Sequence, residues 1–155
     1  MKIKPFELER YFAKYEFSVK YLLSSSDCDG LSQTEVLSWA DAETKQLWDN
    51  LKLGYTESLG LSLLRKEIAK MYNGVSSNDV LTTVPEEGIF ITLNTLLDKG
   101  DHVICTWPGY QSLYEIVESL CCDFEKWQPS EKEDWKFDVN FLEEKVKPNT
   151  KLIIF

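Results

Sequence analysis

The first seventy residues carry apolar side chains at helical spacing. Leu8, Tyr11, Tyr15, Val19 and Leu22 recur at intervals of three and four behind Pro5, whose fixed φ suits a first helical turn. The run SSSDCDG, from Ser24 to Gly30, breaks that helix. Ser32 and Glu35 form an S-x-x-E capping box, which predicts a short helix reaching Trp39. A third helix is predicted over 42–51. A fourth starts after Gly60, shows Leu61, Leu64, Ile68 and Met71 on one face, and stops at Asn73 and Gly74.

Beyond Gly74 the periodicity changes. DVLTTV (Asp79 to Val84) is a short β-rich run that predicts a strand over 80–84, and Glu86 to Leu97 reads as a helix. The turn Lys99-Gly100-Asp101 leads into the apolar strand HVICTW (His102 to Trp107). Tyr110 to Leu120 is helical, DFEKWQ (Asp123 to Gln128) is extended, and SEKED (Ser130 to Asp134) is a solvated loop. Asp138 caps a last helix running to Val146, and KLIIF (Lys151 to Phe155) is again an apolar strand. Strands alternating with helices predict an α/β fold, with N-terminal helices followed by βαβ units of a mostly parallel sheet. A parallel strand needs a neighbour and a covering crossover, so ending on Phe155 is the expectation of an incomplete domain.

Composition narrows the classes. Hydrophobic residues make up 43% of the 155, which is globular rather than disordered. Lys and Arg number 17 against 26 Asp and Glu, a net charge of −9. Such a surface repels phosphate backbones and anionic bilayers, so neither nucleic acid nor membrane is an expected partner. Cys28, Cys105, Cys121 and Cys122 show no C-x-x-C spacing, and His102 is the single histidine; no metal site is expected. Reduced thiols and the lack of a signal-peptide pattern suggest a cytoplasmic protein.

Three motifs in order carry more information. GYTESLGLSLLRKEIAKMY, from Gly54 to Tyr72, resembles a segment of the fold-type I, pyridoxal-phosphate-dependent aminotransferases of class I/II. The pattern rests on Gly54, Tyr55, Gly60, Leu64, Arg65, Ile68 and Ala69. The resemblance continues through LLDKGDHVICTWPGYQSLYE and on to Phe155. The wording PEEGI and PGYQSLYE is similar to the capreomycidine-synthase-type group. The resemblance implies a helical arm and linker over 1–53 and the first part of the cofactor-binding large domain over 54–155.

The resemblance also implies roles. Spacing alone leaves open whether Trp107 and Tyr110 simply cap the sheet edge; the family pattern makes Tyr110 the aromatic that stacks on the pyridine ring, a contact of about 0.5–1.5 kcal/mol beyond area burial. Pro108 sets the chain direction and Gly109 lets the turn close. Tyr55 matches the tyrosine that reaches a neighbouring subunit's cofactor phosphate, which implies a homodimer. Ser26 falls where the family's backbone touches the substrate carboxylate, and Arg65 is expected in a structural ion pair. The phosphate turn departs from the commoner pattern, reading Val84, Pro85, Glu86, Glu87 and Gly88. Pro85 has no N–H, so Glu86 and Glu87 supply the backbone donors, or their carboxylates merely favour the helix dipole.

The family's catalytic lysine, the aspartate for the pyridinium and the arginine for the substrate carboxylate have no counterpart here, so no catalytic residue is expected in this chain. Two functions remain open. One is the N-terminal part of an aminotransferase acting on amino acids and 2-oxo acids, with weak or no pyridoxal phosphate binding by this chain alone. The other is a non-catalytic aminotransferase-like remnant that serves in protein association.

Overall fold

The computed structural model describes residues 2–155. By internal contacts the chain falls into two units, Met1–Ser18 with Thr83–Phe155, and Val19–Thr82.

The larger unit is built on three parallel strands, β1 (His102–Thr106), β2 (Asp123–Trp127) and β3 (Thr150–Ile154), in the order β2-β1-β3. The α/β reading with parallel strands is thereby borne out. β1 takes the centre because its sequence is apolar on both faces; Val103 and Ile104 are fully buried and Cys105 nearly so. Before β1 comes α5 (Pro85–Leu96), and between β1 and β2 comes α6 (Gln111–Ser119). Leu93 and Leu97 from the α5 end, Val103 from β1, and Ile116 and Val117 from α6 form one buried cluster. Phe124, Leu152 and Ile154 pack against it from the flanking strands. A short α7 (Asn140–Lys145) leads into β3, with the Asp138 carboxylate accepting from the Asn140 N–H at 2.9 Å. The predicted solvated loop forms a single 3₁₀ turn, Glu131–Glu133, closed by Asp134 in the left-handed region at φ 58°.

The N-terminal helix, α1 (Glu7–Tyr15), is shorter than its apolar spacing suggested. The Ser18 N–H donates to the Tyr15 carbonyl at 3.0 Å and its hydroxyl to that of Lys14 at 3.0 Å, which satisfies the last turn and ends the helix.

The smaller unit is helical, with α2 (Gln33–Ser38), α3 (Ala42–Asp49) and α4 (Ser62–Ala69). The Ser32 hydroxyl accepts from the Glu35 N–H, one of the two bonds of the expected capping box. The return bond from the Ser32 N–H to the Glu35 carboxylate does not form. Asp41 caps α3 through the Thr44 N–H at 2.7 Å. Gly60 lies at φ +94°, and a Cβ there would fall 1.7 Å from Thr82 Oγ1, so only glycine fits. The Thr82 N–H donates to the Leu59 carbonyl at 3.0 Å. Arg65 makes no ion pair among the described residues. Its guanidinium donates to the carbonyls of Gly60 and Ser77, tying the approach to α4 to the chain beyond its end through main chain.

One element differs from expectation. Residues 80–84 are extended but form no strand. β-branched residues favour a strand only where a partner supplies ladder hydrogen bonds, and the Leu59 carbonyl alone does so here.

His102 opens β1, fully buried. The Lys147 N–H donates to Thr150 Oγ1 at 2.7 Å, and that oxygen lies 2.7 Å from His102 Nδ1. The other ring nitrogen, Nε2, has no partner among the described residues. Burial, reinforced by the Lys147 charge, lowers the imidazole pKa against the opposing pull of Glu125 and Asp123. The unfolded chain therefore protonates this imidazole first as pH falls.

Two predictions follow from these contacts. Stability is expected to fall as pH drops through about 6.5, and His102→Gln should flatten that part of the slope in urea titrations at stepped pH, because the folded state disfavours the charged ring. Arg65→Met should lower stability by about 2 kcal/mol in the same assay, since two part-buried carbonyls lose a charged donor.

Candidate functional site at the carboxyl edge of the sheet

α5 and β1 are matched in length. Twelve helical residues rise about 18 Å and five strand residues about 17 Å, so the start of α5 lies level with the end of β1. α6 begins just after β1 ends, which puts its first turn at the same edge. Two helix N-termini, with their partial positive charge, thus converge where the central strand stops.

The α5 first turn is formed by Val84 at the N-cap and Pro85 at the first helical position, a place that loses nothing by lacking an N–H. The Gly88 N–H closes the first helical bond to the Val84 carbonyl at 2.9 Å. A Cβ on Gly88 would meet Thr83 Cγ2 at 2.7 Å, so the turn is packed tightly against its own approach. The backbone N–H groups of Glu86 and Glu87 have no acceptor among the described residues, and no side chain caps the helix.

Both carboxylates accept from hydroxyls instead. Glu86 Oε1 accepts from the Ser112 hydroxyl at 2.9 Å, and Glu87 Oε2 accepts from the Thr83 hydroxyl at 3.1 Å. Hydrogen bonding to the Glu86 carboxylate, together with burial, pushes the Tyr110 phenol up to about 12. Tyr110 is the N-cap residue of α6 and is 39% exposed. Phe6 meets its ring edge-on, with centroids 5.0 Å apart at 73°. The structure therefore brings Tyr110, Glu86 and Glu87 together.

Trp107 has a different fate. It stacks on Tyr114 (5.8 Å, 13°), which stacks on Phe124 (6.0 Å, 15°), with Lys126 Nζ 4.6 Å from the indole centroid. That ladder covers the β1–β2 edge and leaves Tyr110 outside it. The turn between them is close: a Cβ on Gly109 would sit 3.0 Å from the Thr106 carbonyl oxygen.

Tyr55 and Ser26 lie in the smaller unit, on segments without helix or strand, and both are exposed; the Tyr55 side chain is fully open to solvent. Sequence reasoning missed Ser112, Gln111 and Phe6. Ser112 is buried in the first turn of α6, and no local pattern marks a helical serine as the partner of a carboxylate twenty-six residues earlier.

This edge fits pyridoxal phosphate at two points. Two unpaired backbone donors suit a phosphate, and the half-exposed Tyr110 ring offers a face to a flat heterocycle, since one edge-on neighbour covers at most one of its faces. The Glu86 and Glu87 carboxylates are engaged by hydroxyl donors, and neither accepts from those N–H groups.

The chain belongs to the family of class I and II aminotransferases, whose sequence pattern matches residues 18–155. A probable aspartate aminotransferase of Methanocaldococcus jannaschii is 27% identical over 147 residues, spanning 86% of this chain and 38% of the relative. An aspartate aminotransferase of Sulfurisphaera tokodaii is 27% identical over 81% of the chain and 34% of its own length. Among solved structures, a pyridoxal-phosphate-dependent aminotransferase from Streptococcus suis superimposes with a TM-score of 0.86 at 30% identity, covering 99% of this chain and 42% of that one. The pyridoxal-phosphate-dependent cyclase OrfR superimposes with a TM-score of 0.83 at 28% identity, over 100% of this chain and 41% of its own. The chain thus spans about two-fifths or less of the length of these proteins.

Glu86→Gln should move the Tyr110 phenol from about 12 toward the ordinary 10, because the charged acceptor is lost. An ultraviolet titration of the tyrosinates, with Tyr110→Phe to assign the signal, reads this directly.

Proposed function

We propose that this chain is the N-terminal part of a pyridoxal-phosphate-dependent aminotransferase acting on amino acids and 2-oxo acids. One observation carries the reading: the first turn of α5, with the Glu86 and Glu87 N–H groups free, meets the half-exposed Tyr110 ring at the carboxyl edge of β1. In this reading the two N–H groups hold the phosphate, and Tyr110 holds one face of the ring. When bound, the cofactor supplies an electron sink for a carbanion at the substrate α-carbon. Ser112 and Thr83 donate to the two carboxylates, which leaves the Glu86 and Glu87 N–H groups without a side-chain acceptor. No catalytic residue is assigned within these 155 residues.

Tyr55 is assigned to the phosphate of a second subunit's cofactor, and Ser26 to the substrate carboxylate; full exposure of Tyr55 suits a residue whose partner lies in another molecule. This makes the working protein a homodimer, and a cytoplasmic location fits its reduced thiols. No helix among the described residues is long and apolar enough to cross a membrane. The likeness to OrfR along the whole chain supports a second reading, a carbanion chemistry other than amino transfer in the capreomycidine-synthase-type group.

The test is cofactor retention by the full-length protein after removal of excess pyridoxal phosphate, followed by the visible spectrum. Tyr110→Ala should weaken retention about three- to tenfold, and Tyr110→Phe should keep most of it because the stacking face survives. Equal loss in both variants would remove stacking as the role of Tyr110. The 155-residue chain alone should give no turnover with any amino acid and 2-oxo acid pair in a coupled assay.

A further inference from the structure

The residue that follows Tyr110 holds a separate part of the chain in place. Gln111 uses both ends of its amide on the segment before α1. Its Oε1 accepts from the Glu7 N–H at 2.9 Å, and its Nε2 donates to the Pro5 carbonyl at 2.8 Å. These two backbone groups flank Phe6. The amide therefore fixes the main chain on both sides of the residue whose ring meets Tyr110 at 5.0 Å.

One helical turn further along α6, Glu115 lies 3.3 Å from Lys4 Nζ, and Glu118 lies 2.7 Å from it. Positions 111, 115 and 118 recur at helical spacing, so one stripe of α6 docks the whole run Lys4–Glu7. The ion pairs are exposed and contribute little by themselves. The paired amide contacts and the ring contact fix the geometry. Beneath this strap lies a hollow of about 380 Å³, lined in part by Phe6, Phe90, Ile116, Glu86 and Gln111.

The strap sets Phe6 against the Tyr110 ring, and the nearby Glu86 carboxylate holds the phenol pKa up. An N-cap residue at the end of a tight turn has few other neighbours to fix its χ angles, and its ring is 39% exposed.

We infer that the strap Lys4–Glu7 is a positioning element for the cofactor-stacking ring, with Gln111 as its clamp and Phe6 as its contact. The inference rests on the reading of Tyr110 as the stacking residue. Phe6 and Gln111 do not touch the reacting atoms; they act through Tyr110. Their substitution should change the orientation and affinity of the cofactor more than the stability of the fold.

The experiment uses the full-length protein of which this chain is the N-terminal part, with 3-fluorotyrosine incorporated and the Tyr110 fluorine signal assigned by Tyr110→Phe. Phe6→Ala and Gln111→Ala should shift the same Tyr110 resonance in the cofactor-free protein, and Phe6→Tyr should restore it. With pyridoxal phosphate added, both alanine variants should lose about three- to tenfold in affinity and lose induced circular dichroism in the cofactor band, with Phe6→Tyr again restoring both. A Tyr110 signal indifferent to Phe6→Ala overturns the strap contact. A shifted signal with unchanged affinity and unchanged induced dichroism overturns the positioning role and leaves the cofactor reading standing. A full-length wild-type protein that binds no cofactor, while its Tyr110 signal still responds to Phe6→Ala, overturns the cofactor reading itself. Should Phe6→Ala fail to fold by far-ultraviolet dichroism, Gln111→Glu, which keeps the acceptor oxygen and loses the amide donor, carries the same comparisons.

Discussion

Burial of β1 on both faces is the constraint from which the larger unit follows. A central strand in a parallel sheet needs ladder partners on each side and apolar cover above and below. His102 to Cys105 meet that demand with four consecutive buried residues, flanked by β2 and β3. Because α5 and α6 must both lie over Val103 to cover it, their N-termini emerge together at the carboxyl edge. That convergence of two helix N-termini is a consequence of sheet topology before any side chain is considered.

The acidic turn of α5 would repel a phosphate if its carboxylates lay over the helix end. Hydroxyl donors from Ser112 and Thr83 engage both carboxylates, and neither carboxylate accepts from the Glu86 or Glu87 N–H. A hydrogen bond to a charged acceptor contributes about 1.5–3 kcal/mol, which exceeds the several tenths that a carboxylate gains beside a helix dipole.

The aromatic cluster at the strand end shows how one motif divides between packing and chemistry. Trp107 and Tyr110 stand three residues apart in TWPGYQ, yet Trp107 is taken up by Tyr114 and Lys126, while Tyr110 caps α6 and stays half open. The direction of each side chain depends on the close turn at Gly109, which the sequence signals, and on which ring lies within reach, which it does not. Arg65 makes the same point. Its motif position marked it as structural, but its partners are the carbonyls of Gly60 and Ser77, and no pattern of charges along the chain predicts a carbonyl as the acceptor.

The sequence by itself determined the helices and strands that follow strong periodicity, the parallel alternation, the capping serine at Ser32, the glycine at Gly60 and the motif order of the aminotransferase family. These are local or repeating signals, set by backbone sterics and by the spacing of apolar side chains. Tertiary structure alone decided that residues 80–84 would stay extended without becoming a strand, that Ser112 would hold Glu86, and that Gln111 would clamp the chain on both sides of Phe6. Each of these depends on a partner between 23 and 106 residues away. Contacts of that kind form only once the sheet and its helices have fixed where two distant segments meet.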